Sequence, residues 1–138
     1  MQVRLSNMSA DALGKASMAD RPNLLLVEDD ATSRRLLTSL LVLMGYDVTS
    51  AASGNEALLY LYSERACDAV VTDVIMPGMS GLELAKRARD ARPGLPIVCI
   101  TGNLEGVDLT RTTDMITLRK PISSDRLGEA LDKVLAVD

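Results

Sequence analysis

The sequence predicts an α/β fold: one domain built on a five-stranded parallel sheet of order 2-1-3-4-5, with helices on both faces. Three observations carry that expectation. Short apolar runs alternate with segments of helical periodicity, the pattern of repeated strand–helix crossovers. The first, third and fourth runs are apolar throughout, as strands buried on both faces must be, whereas the second and fifth contain polar positions and suit the sheet edges. At 138 residues and 47% hydrophobic content, the chain has material for one sizeable core and no more.

The elements follow in order. Residues 1–21 are small and polar, with scattered Leu5, Met8 and Leu13 and no apolar stretch of the signal-peptide kind, so an N-terminal tail is expected before a domain spanning 22–138. Asn23 to Val27 is a compact apolar run that breaks into Glu28-Asp29-Asp30. From Thr32 to Met44, Leu36, Leu37, Leu40, Leu41 and Met44 recur at helical spacing, and Gly45 is expected to close that helix as its C-cap. Asp47 to Ala51 alternates apolar and polar, as a half-exposed edge strand does.

Ser53-Gly54-Asn55-Glu56 is a capping box, and Ala57, Leu58 and Leu61 follow on one helical face. Ala69 to Asp73 reads as a buried strand ending on a carboxylate. Pro77-Gly78 turns the chain, and Ser80-Gly81-Leu82-Glu83 opens another helix, expected to reach about Arg89 with Leu82, Ala85 and Ala88 inward. Glu83, Lys86, Arg87 and Arg89 would form its solvated face. Pro96 to Ile100 is a further buried strand, running into Thr101-Gly102. Leu104, Val107 and Leu109, interrupted by Gly106, leave a short or broken helix and a loop equally open over 103–114. Met115 to Leu118 is the last strand, leading into Arg119-Lys120-Pro121, and the final helix starts near Ser124 with Leu127, Leu131 and Leu135 in register. The resulting strand order is flavodoxin-like.

Composition removes several classes of function. With no histidine, the chain has no imidazole nucleophile, base or metal ligand of its own. It carries neither a G-x-x-x-x-G-K-[ST] loop nor a G-x-G-x-x-G fingerprint, so any phosphate must come from elsewhere. A net charge of −4 and a pI near 4.8 argue against direct nucleic-acid binding. Cys67 and Cys99 lack metal or redox spacing, which fits a reduced, cytoplasmic protein with cysteines serving as small hydrophobes. No stretch is long enough for membrane insertion.

In a parallel sheet all the C-terminal strand mouths lie on one edge. The first would deliver Glu28 and Asp29, the third Asp73, the fourth Thr101 and the fifth Lys120. Three crowded carboxylates repel unless a cation joins them, and hard oxygen ligands with room for water suit Mg²⁺ better than zinc. A carboxylate beside such an ion can attack a phosphoryl group and form an acyl phosphate. Lys120 would neutralise one phosphoryl oxygen and Thr101 would hydrogen-bond another. Each residue also has an ordinary role: Asp30 or Thr32 as a helix cap, Lys120 as a surface charge.

From Asn23 onward the chain resembles the receiver domain of two-component response regulators. The resemblance is carried by Leu26-Val27-Glu28-Asp29-Asp30, by Asp73 with Met76-Pro77-Gly78-Met79-Ser80-Gly81-Leu82-Glu83-Leu84, by Thr101 after its strand, and by Lys120-Pro121. It implies that Asp73 accepts a phosphoryl group from a histidine kinase or histidine phosphotransfer protein. It implies that Asp29, Asp73 and the backbone carbonyl of Ile75 hold Mg²⁺, with Glu28 acting mainly through metal-bound water. It further implies that Lys120 pairs with the phosphoryl group, that the Lys120–Pro121 bond is cis, and that output passes to a downstream protein target. On this view the chain is a self-catalysed phosphoacceptor with slow autodephosphorylation, not a turnover enzyme, and a monomer or weak homodimer. Its end at Asp138, just after the last helix, leaves open a stand-alone receiver or a receiver cut from a longer hybrid protein, and the Met1 start leads to the expectation of the former.

Departures from the family pattern are Ile75 where a polar residue is common, Thr117 where Tyr or Phe is usual, Ile122 in place of a frequent Phe, and the short 102–114 segment. These lead to the expectation of intact chemistry with altered switching, centred on 101–114. Two rivals stand beside this reading. A phosphate-independent adaptor or dimerisation module would need none of the acids. A phosphohydrolase of the haloacid dehalogenase type would need an Asp-x-Asp pair after the first strand, which Glu28-Asp29-Asp30 does not supply.

Overall fold

The computed structural model describes residues 21–102 and 115–136. Within them lie five strands and four helices: β1 (Asn23–Val27), α1 (Ala31–Leu43), β2 (Asp47–Ala51), α2 (Gly54–Tyr62), β3 (Ala69–Asp73), α3 (Gly81–Ala91), β4 (Ile97–Thr101), β5 (Ile116–Arg119) and α4 (Ser124–Leu135). The strands form one parallel sheet in the expected order β2-β1-β3-β4-β5. The tail, Arg21 apart, and segment 103–114, for which a short or broken helix and a loop are equally open, lie outside the described residues.

Side-chain alternation splits the core into two layers. Leu25, Val27, Val70, Ile97 and Cys99 point to the face covered by α2 and α3, where Ala57, Leu58, Leu61, Leu84, Ala85 and Ala88 meet them. Leu24, Leu26, Val71, Val98 and Ile100 point to the other, beneath Leu41 of α1 and Leu127, Ala130 and Leu131 of α4. At roughly 1.5–3 kcal/mol for each fully buried Leu, Val or Ile, β1 alone contributes a large share of the driving force for folding.

Every helix starts on a side chain that accepts from a first-turn amide: Asp30 from Ser33 N, Ser53 from Glu56 N, Ser80 from Glu83 N and Ser123 from Arg126 N, at 2.8–3.2 Å. The two expected capping boxes are therefore real N-termini, and Asp30 serves as the cap of α1.

Four details differ from expectation. Met44, not Gly45, caps α1; Gly45 follows with φ +102°, the left-handed position that ends the helix. In α3 the buried leucine is Leu84, while Leu82 is only half-buried, and the helix extends to Ala91. Arg89, expected on the solvated face, turns back and donates from Nε to the Leu95 carbonyl at 3.2 Å. Strands β4 and β5 run one residue later than expected, so Thr101 ends β4 and Arg119 ends β5, while β1 and β3 keep the expected bounds.

Candidate functional site

Ladder pairing ends together at the carboxyl edge. Val27 pairs with Thr72, Asp73 with Ile100, and Thr101 with Arg119, so the residues that follow emerge side by side. Glu28 leaves β1 with its amide still bonded to the Ala51 carbonyl at 3.1 Å. Its side chain is 2% exposed, whereas Asp29 is exposed and the Asp73 side chain is 12% exposed. One carboxylate oxygen from each of Glu28, Asp29 and Asp73 can be chosen so that all lie within 4.8 Å of one another, an arrangement that could hold a metal ion.

Lys120 reaches this cluster from the end of β5. Its Nζ lies 3.3 Å from Glu28 Oε1 and 3.4 Å from Asp73 Oδ2, and its own amide donates to the Thr101 carbonyl at 2.8 Å. The Lys120–Pro121 bond is cis, as the resemblance implied. Burial and then the neighbouring Asp73 charge raise the Glu28 carboxyl above the ordinary glutamate value, against the Asp30 amide and Lys120, which lower it. For Lys120, burial works against the charged form, but Asp73 and Glu28 outweigh it and raise the ammonium above its ordinary value. The cluster thus contains one strongly held cation and a carboxylate that ionises at a cost.

The two remaining expected site residues, Thr101 and Ile75, lie at the edge of this cluster. Thr101 is fully buried at the end of β4, one residue beyond the Asp73 partner Ile100. Ile75 donates its amide to Asp73 Oδ1 at 3.4 Å, and its side chain is largely exposed at the rim. What sequence reasoning missed is the packing beneath Asp73. A Cβ on Gly81 would fall on the Asp73 carbonyl oxygen and within 2.9 Å of Val74 Cα, so only glycine lets α3 start this close to the strand end. A Cβ on Gly54 would meet Met79 Sδ at 2.8 Å, so the loop after Asp73 rests on the first residue of α2. The Ser80-Gly81 pair signalled the helix start but not this contact.

Fold and site together define a doubly wound α/β domain with an oxygen-only, cation-suited cluster at the carboxyl edge of its sheet. Residues 24–132 match the family model described as the response regulator receiver domain, and the chain belongs to that family. It is 35% identical over 122 residues to the transcriptional regulatory protein GlrR of Escherichia coli, covering 86% of this chain and 27% of that protein. The chain therefore spans about a quarter of that relative's length, and 11% of a matching sensor protein. Among solved structures, a response regulator receiver protein from Sinorhizobium medicae superposes with a TM-score of 0.78 at 32% identity, covering 85% of this chain and 96% of that one. The response regulator TrrA of Thermotoga maritima, solved in complex with Mg²⁺-BeF, gives 0.73 at 31% identity, covering 83% and 99%. Among the described residues, no helix is long and apolar enough to cross a membrane.

Proposed function

We propose that this receiver domain is a phosphoacceptor switch in which Asp73 takes a phosphoryl group from a phosphohistidine on a partner protein. The observation that carries this reading is Lys120, which reaches over β4 to touch both Glu28 and Asp73 where three carboxylates converge. In the transfer, an Asp73 carboxylate oxygen attacks phosphorus and the phosphorus–nitrogen bond to the donor imidazole breaks. The acyl phosphate stays on Asp73, and the imidazole leaves with the bonding pair. Lys120 then faces the new phosphoryl oxygens, and Thr101 is the hydroxyl available to them.

The donor set fits Mg²⁺: oxygen ligands only, one of them exposed, in a chain without histidine. Asp29, Asp73 and the Ile75 carbonyl would hold it, with Glu28 acting through water. When bound, the ion supplies positive charge that offsets the crowded carboxylates and the incoming phosphoryl oxygens. The TrrA complex with Mg²⁺-BeF supports this reading by similarity. Nothing in the site calls for turnover of a free substrate, so the chain acts as acceptor rather than enzyme. The donor is a histidine kinase or phosphotransfer protein that docks against α1, where Leu36 is two-thirds exposed beside half-buried Leu37 and Leu40. Output passes to a protein target.

Intact mass after incubation with acetyl phosphate and Mg²⁺ tests the proposal. One phosphoryl adduct is expected, removed by hydroxylamine and absent in Asp73→Asn. Asp29→Ala should slow the reaction, while Asp30→Ala, whose carboxylate caps α1, should not. A stable adduct on Ser or Thr in the wild type would sink the reading.

A further inference from the structure

Glu28 and Asp29 lie just past the end of β1, where the hold of the sheet reduces to the Glu28 amide on the Ala51 carbonyl. Their backbone carbonyls are nevertheless partnered. Arg34, one turn into α1, folds back and donates from Nη1 to the Glu28 carbonyl at 2.9 Å and to the Asp29 carbonyl at 3.4 Å. The polar groups of Asp30 are tied as well. The Asp30 amide donates to Glu28 Oε2 at 3.3 Å, the Asp30 carbonyl accepts from Arg34 N at 2.8 Å, and the Asp30 carboxylate caps Ser33.

Local helix energetics give little reason for a cation at Arg34: the nearest acid, the N-cap Asp30, spends its carboxylate on Ser33, and Arg34 is the smallest of the influences on it. The positive end of a helix dipole disfavours a guanidinium in the first turns, and α1 has no acidic residue in its first turn to pair with it. Both bonds come from one nitrogen, Nη1, whose two N–H groups are fixed in the guanidinium plane, whereas a lysine ammonium rotates freely on a shorter, flexible stem and is not aimed in that way.

We propose that Arg34 is a positioning residue for the cation site: by gripping the Glu28 and Asp29 carbonyls it fixes the turn from which their carboxylates converge on Asp73. This rests on the reading of the cluster as a Mg²⁺ site, but adds a residue that touches neither ion nor phosphoryl group. Outer contacts that orient metal ligands typically change metal affinity by about 10–100-fold when removed. The apolar layers under β1 and the Asp30 cap of α1 do not depend on Arg34, so its loss should loosen the ligands more than it unfolds the domain.

The test is Mg²⁺ titration of the whole chain by calorimetry, without phosphodonor, alongside urea denaturation and amide exchange of the metal-free proteins. Arg34→Ala should bind Mg²⁺ about tenfold more weakly than wild type. Its urea midpoint should stay close to that of wild type, and its Asp30 amide should exchange faster. Arg34→Lys, which keeps charge and stem, should remain several-fold weaker; it decides the matter if Arg34→Ala folds poorly. Equal Mg²⁺ affinity in wild type and either variant would overturn the positioning role while leaving the metal site standing. A wild type that binds no Mg²⁺, or binds as Asp29→Ala does, would instead remove the site itself and this inference with it.

Discussion

Replacing Gly81 by alanine should damage stability and phosphoacceptance together. The added methyl would land on the Asp73 carbonyl oxygen and 2.9 Å from Val74 Cα, and both obstacles are backbone, so no rotamer change relieves them. Either α3 backs away or the end of β3 moves, by about 1 Å to restore ordinary contact. Overpacking of this kind costs about 1–3 kcal/mol, and the absence of a yielding side chain places this case near 3 kcal/mol. With a urea slope of about 2 kcal/mol/M, the midpoint should fall by about 1.5 M. A displacement of about 1 Å at a reacting group can cost about 10²-fold in rate, so phosphorylation by acetyl phosphate should slow markedly. Gly45→Ala is the control: it has φ +102° with nothing within 4 Å, so it carries about 1–2 kcal/mol of backbone strain but should leave the phosphorylation rate unchanged. If Gly81→Ala kept both midpoint and rate, the close approach would be inconsequential. A lower midpoint with an unchanged rate would refute the link from this contact to Asp73.

Glu28→Gln should make the metal-free protein more stable at pH 7.5, and less so at pH 4. The folded Glu28 holds its proton above the ordinary glutamate value, so native protein binds more protons than unfolded chain in that window and stability falls as pH rises through it. A difference between wild type and variant that did not change with pH would contradict this sign. Thr117→Val should raise the melting temperature by about 3 °C, because the Thr117 hydroxyl is buried without a partner and removing it recovers about 1 kcal/mol; a lower melting temperature would show that the hydroxyl is satisfied. Burial pushes the Cys67 and Cys99 thiols up to about 11, so both should react with a disulfide reagent at pH 8 far more slowly in native protein than in urea. Equal rates would place them at the surface.

The strands were legible because three of them are buried on both faces and carry near-continuous apolar runs, as Leu24-Leu25-Leu26-Val27 and Ile97-Val98-Cys99-Ile100 show, with Thr72 and Thr101 the buried polar residues among them. The same rule, applied to polar residues in β2 and β5, gave the strand order, and the order alone brought Glu28, Asp29, Asp73 and Lys120 to one edge. Leu82 and Leu84 could not be told apart this way. They lie about 200° apart on an 11-residue helix, and the angle at which α3 leaves the loop is set by Gly81 against the Asp73 backbone, a contact with no periodicity. Arg34 and Arg92 were illegible for a related reason. Arg92 clasps the Leu61, Ser63 and Arg65 carbonyls at 2.6–3.1 Å, and targets of that kind are backbone atoms that every residue shares.

The reach of Lys120 also bears on when the site comes into being. Glu28 and Lys120 are 92 residues apart in the chain, and β5 takes its place only by pairing beside β4. During synthesis the acids of β1 and β3 emerge long before their cation, and contacts of such long range form late because the intervening loop must close first. An incomplete chain therefore holds carboxylates that repel one another, with no ammonium to gather them. Closure of the cluster marks the arrival of the last strand, so a chain able to react at Asp73 in the proposed manner is one whose sheet is complete.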